Sequence, residues 1–144
     1  MRLVAAATLG FALLAGAAVA REQIPVETRI EPYNANLPAC EDQSVLDTVS
    51  SRFSSREGNF WNSPLTIVRF ERARQTSFRP EGIDLIPRRF CTAAVVTSDN
   101  VRRQLDYNIV EGGGFIGITW GIEWCMGGLD RSYAYAPYCQ MARP

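Results

Sequence analysis

Four cysteines, at positions 40, 91, 125 and 139, constrain this chain more than any other feature of its sequence. No two of them have the Cys-x-x-Cys spacing of a redox or zinc site, and there is no histidine to complete a metal set. In a small chain routed out of the cytosol, such cysteines pair as disulfides. Three pairings are possible for four cysteines. Cys125–Cys139 closes a local loop, which leaves Cys40–Cys91 to staple a segment near the N-terminus to the body of the fold.

The route out of the cytosol is written at the start. Met1-Arg2 precedes an Ala- and Leu-rich run from Leu3 to Ala17, and Ala18-Val19-Ala20 puts small residues at −3 and −1. This is a signal-peptide pattern, with cleavage expected after Ala20. The apolar run is short against the ~20 residues that span a bilayer, and no later segment is apolar enough to cross one. Residues 21–38 carry prolines at 25, 32 and 38 with no sustained period and read as an extended or disordered arm. Residues 39–144 then form a single domain.

The residue inventory narrows the chemistry. All basic side chains are arginine, and histidine is absent. A Ser-His-Asp or Cys-His centre, an imidazole metal ligand, a Schiff-base lysine and a Walker-type phosphate lysine are therefore excluded. No metal or cofactor is expected. Loss of the leader removes Arg2 and leaves a net charge of −1, which gives no general attraction to nucleic acid.

Within the domain, Val45, Leu46, Val49 and Phe53 recur at helical spacing, so a helix is predicted over 42–57 with Asp42 as N-cap and Gly58 as its stop. Phe60 and Trp61 are expected to wedge beside its apolar stripe. Four strands follow, at about 65–74, 88–97, 102–111 and 115–125. A two-residue Asp99-Asn100 turn would place Arg103 opposite Val96 and Arg88 opposite Glu111, and would leave Cys91 on the polar face. That placement conflicts with a disulfide to the helix side unless the second strand is one residue out of register. Gly112-Gly113-Gly114 reads as a hairpin turn rather than a phosphate loop, since neither a helix nor a lysine follows it. The third turn would set Tyr107 opposite Trp120 and Arg103 opposite Trp124, with Ile116 and Ile118 on the apolar face. The fold class is α+β: one N-terminal helix on a four-stranded antiparallel meander with two disulfides, its Tyr-rich tail folded back and pinned by Cys139.

The surface offers few candidates. Gln104, Asp106, Asn108, Thr119 and Glu123 are expected to project together from the solvent face of the sheet as a polar platform. Asp106, facing Gly121, would have Glu123 as its diagonal neighbour, about 7–8 Å away between Cα atoms, a separation that suits a pair of glycosidase carboxylates. Arg69, Arg72, Arg74, Arg88-Arg89 and Arg102-Arg103 read as charged strand edges that discourage aggregation. Cys40, Ser51-Arg52-Phe53, Arg89-Phe90-Cys91, Tyr107 with Glu111-Gly112, Trp124-Cys125, Gly128-Leu129-Asp130 and Cys139 together give a stretch that resembles a group of small, uncharacterised envelope proteins of alphaproteobacteria. That resemblance implies a secreted, disulfide-bonded domain and no particular activity. The functional expectation is a non-catalytic periplasmic or secreted binding module, or an inhibitor, that contacts a protein or envelope component. The alternative is a carboxylate-dependent hydrolase acting on an envelope glycan through Asp106 and Glu123.

Overall fold

The computed structural model describes residues 33–80 and 86–144. The leader expected at 1–20 and the arm as far as residue 32 lie outside these. Among the described residues, helix α1 (Gln43–Trp61) is followed by strands β1 (Ile67–Arg79), β2 (Arg88–Thr97), β3 (Arg102–Val110) and β4 (Gly121–Met126). The strands form one antiparallel sheet in the order β1-β2-β3-β4, the meander expected from the alternation. No described helix is long and apolar enough to cross a membrane.

Asp42 caps α1 by accepting the Ser44 N–H at 2.9 Å, which satisfies a donor that the first turn leaves open. Val45, Val49 and Phe53, four residues apart, point into the sheet and are fully buried. The helix runs through Gly58 for another turn. It ends where Asn62 takes a left-handed conformation, and the Ser63 N–H reaches back to the Glu57 carbonyl at 3.0 Å. This overrun lifts Phe60 clear of the core, where it is 76% exposed rather than wedged.

Against the helix lie Cys91, Ala93 and Val95 of β2, Leu105, Tyr107 and Ile109 of β3, and Ile122, Trp124 and Met126 of β4. Phe53 meets Trp124 edge to face, with ring centroids 5.8 Å apart. Leu37 is buried here too, and the backbone beside it is anchored, because Asn34 and Ala35 donate their N–H groups to the Glu111 carboxylate at 3.0 and 2.8 Å.

Two registers differ from expectation. The β2–β3 loop has three residues, Ser98 to Asn100. The Asn100 N–H donates to Thr97 O at 2.8 Å, and Asn100 alone has a positive φ, a turn followed by a left-handed residue. The extra residue shifts the pairing by one. Val96 therefore faces Arg102, Arg88 faces Val110, and Cys91 faces Tyr107 on the helix side. The shift removes the conflict over Cys91. Cys40–Cys91 forms as expected, with the Cα atoms 5.8 Å apart, and the Tyr107 hydroxyl donates to Cys40 O at 2.7 Å beside it.

The second correction concerns β4, which starts at Gly121 and not at 115. Tyr107 faces Trp124 instead of Trp120, and Asp106 faces Cys125 instead of Gly121. The register moves by an even number, so every side chain keeps its face. The residues released from the strand form a loop in which Phe115–Gly117 make a single 3-10 turn. Glycine is required where the loop's legs meet: a Cβ on Gly121 would stand 2.1 Å from the Gly113 carbonyl oxygen. On the opposite face of the sheet, Cys125–Cys139 draws the tail back, and Ala142 is buried against the bridge.

Candidate anion-binding hollow

The solvent face is shaped first by a fault in β1. Glu71 pairs with Ala94 and Arg74 with Thr92, so two residues, Arg72 and Ala73, oppose Ala93 alone. Arg72 takes a φ of 54°, the signature of a bulge that re-aims a side chain. Arg74, in step with Thr92, lies on the solvent face. Across the sheet the tail brings Arg143 over β3. The result is a hollow of about 700 Å³ walled by Arg72, Arg74, Arg102, Arg103 and Arg143, with Thr76, Thr92 and Gln104 supplying neutral polar groups.

Three of these arginines are already engaged. Arg102 binds Glu71 at 2.9 Å, and Glu71 also accepts from Arg69 at 3.0 Å. These two guanidiniums hold the Glu71 carboxyl below the usual carboxylate range. Arg103, in register with Val95 and so directed to the helix side of the sheet, is paired with Asp99 at 2.6 Å and donates to the Thr97 hydroxyl as well. Arg103 and Thr97 keep the Asp99 acid far below its ordinary value. Arg143 meets Asp106 at 3.1 Å. Arg72 and Arg74 are exposed and, among the described residues, have no carboxylate within bonding distance. The hollow therefore offers two uncommitted cations on a framework of committed ones.

The five platform residues are divided. Gln104 and Asp106 border the hollow. Asp106 is almost fully buried and accepts from Thr92 Oγ1 at 2.8 Å and Gln104 Nε2 at 3.0 Å, besides Arg143. Asn108 and Glu123 belong to a neighbouring cluster centred on Arg88. Arg88 Nη1 lies 3.0 Å from Glu123 and 3.3 Å from Asn108 Oδ1, and Asn108 donates to Glu123 at 3.2 Å. Thr119 does not lie on the sheet; it stands exposed in the β3–β4 loop. The slip in β4 removed it from the platform. Asp106 and Glu123 remain diagonal neighbours after the slip, but each is bonded to a different arginine.

A smaller groove of about 380 Å³ runs between α1 and the free edge of β4. Arg52 Nη1 donates to the Ile122 carbonyl at 2.7 Å, closing part of that edge. Arg56 lies 3.9 Å over the Trp124 ring in a cation–π contact, and Arg103, expected opposite Trp124, faces Val95 elsewhere in the sheet. Burial lowers the pKa of the Arg56 guanidinium.

Arg143 was missed at the sequence level because a single arginine near a chain end has no pattern. Arg72 and Arg74 were visible only as edge charges, since the bulge that turns them into the hollow leaves no mark in the period-2 alternation. Compared with protein-family models, curated proteins and solved structures, the chain finds no match.

Proposed function

We propose that this chain is an exported, non-catalytic binding module that holds an anionic group of a protein or envelope component in the hollow of its solvent face. The observation that carries this reading is the pair Arg72 and Arg74, held beside three already paired arginines and three neutral polar side chains. A guanidinium fork matches a carboxylate or phosphate with two parallel hydrogen bonds, and the surrounding ion pairs fix the framework before a ligand arrives. Two disulfides reduce the ordering cost on binding, and they accord with folding in an oxidising compartment, periplasmic or extracellular. Binding is favoured over hydrolysis because Asp106 is almost fully buried and bonded to Arg143, Thr92 and Gln104, while Glu123 is bonded to Arg88 and Asn108, so neither presents a free carboxylate.

The test is a calorimetric titration of the oxidised protein with a phosphorylated oligosaccharide and with the same oligosaccharide lacking phosphate. The phosphorylated form is expected to bind, more weakly as salt rises, and at least tenfold more weakly to Arg72→Ala/Arg74→Ala. Equal binding of both sugars, or of both proteins, would refute the proposal. Export is tested by intact mass: the chain recovered from the cell envelope or medium should begin at Arg21 and contain no free thiol.

A further inference from the structure

The loop between β3 and β4 is independent of the hollow and has a different character. From Gly112 to Ile122 the sequence contains no charged residue. Phe115, Ile116 and Ile118 are 78%, 76% and 79% exposed. Ile116 takes the left-handed conformation at φ 53°, ψ 28°, one that β-branched residues rarely adopt. The loop tolerates that geometry and turns the side chain outward. Three of its amides bond within the loop: Gly114 N–H donates to Thr119 O at 2.8 Å, Gly117 N–H to Gly114 O at 3.3 Å and Ile118 N–H to Phe115 O at 3.1 Å.

We infer that this loop is a lipid-surface probe, with Phe115, Ile116 and Ile118 entering the apolar boundary of a bilayer. Three features point to lipid rather than to a protein pocket. The Gly114, Gly117 and Ile118 amides are bonded within the loop and so need no water as partner. The tip consists of three exposed apolar side chains, less than the roughly 800 Å² per partner of a stable protein interface. Partition into a bilayer needs no complementary surface and scales with the apolar area immersed. Trp120, half-buried in the same loop, is of the residue type that suits the boundary between headgroup and acyl chain. Binding of this kind is weak and reversible, and it does not require anionic lipid.

The experiment uses the oxidised protein as exporting cells release it, mixed with phosphatidylcholine vesicles containing lipid brominated near the headgroup. Tryptophan emission is expected to be quenched, and the quenching to be largely lost in Trp120→Phe. Phe115→Ser/Ile116→Asn/Ile118→Ser should partition at least tenfold more weakly. All three positions are exposed and asparagine tolerates the left-handed region, so this variant should keep the wild-type Tm. Added salt should leave partition unchanged. The proposal fails if Trp120 is not quenched, if the triple variant partitions like wild type, or if salt abolishes vesicle binding. It also fails if the wild type self-associates through the loop in sedimentation while the variant stays monomeric, because the occupant would then be a second copy of the chain.

Discussion

The two faces of the sheet are built by opposite means. The helix side is closed by shape: Val45, Val49 and Phe53 fit between the inward residues of β2, β3 and β4, and every one of these side chains is buried. The solvent side is organised by charge. Arginines pair with Glu71, Asp106 and Glu123, and the tail shields only part of the surface. Each face has one disulfide, but the two bridges act differently. Cys40–Cys91 spans 51 residues and ties the start of the helix into the apolar core. Cys125–Cys139 spans 14 and pins a tail across polar ground. Burial makes the first face insensitive to salt and pH over a wide range, whereas the second should respond to both.

Removing one bridge at a time is the strongest way to separate the faces. Cys40→Ala/Cys91→Ala should destabilise the fold by about 4 kcal/mol, given the chain freed in the unfolded state. Loss of Cys125–Cys139 should cost about 3 kcal/mol and leave the helix-side core formed. Urea titrations of the two variants give these values directly, and hydrogen exchange should show increased opening confined to the tail and the neighbouring part of β4 in the second. A uniform rise across the sheet would mean that the faces are not separable.

Tyr107 probes the buried side more finely. Tyr107→Phe leaves Cys40 O without its donor, at a cost of about 1–3 kcal/mol. Burial raises the phenol's pKa above its ordinary value, so this group's share of stability is intact below pH of about 10 and lost as pH rises beyond it. The phenylalanine variant should lack that alkaline loss, as thermal melts above pH 10 will show. The opposite sign holds for the acid in the β2–β3 turn. Asp99 is held low by Arg103 and Thr97, so its contribution is present above about pH 3.9 and fades as pH falls through the folded value. The difference in Tm between wild type and Asp99→Asn should be small at neutral pH, since Asp99 is exposed, and should shrink in acid.

The shape-closed face was also the more legible. Helical spacing of Val45, Val49 and Phe53, alternation through Leu105, Tyr107 and Ile109, and the spacing of four cysteines specify the helix, the meander and both bridges. These are periodic signals, and burial enforces periodicity. Loop length is not periodic. Ser98 joins the Asp99-Asn100 turn, and that single residue reverses which face Cys91 occupies. Ile116 and Ile118 continue the alternation of β4 perfectly on paper, yet Gly113 and Gly121 have already brought the legs of the loop together beyond them. Nothing in an apolar alternation distinguishes a strand from a loop that exposes its apolar side chains. The candidate hollow was the least legible part, because it depends on a bulge and on a returning tail, both set by tertiary contacts.

The path of the tail has a practical corollary. Arg143 is tethered to Asp106, and Pro144 sits on the wall of the hollow. Whatever is attached at Pro144, whether an affinity tag, a fluorescent reporter or a second domain, starts from the wall of the cavity it is meant to report on. Ligand screens with C-terminally tagged protein would then count an obstructed cleft as a failure to bind.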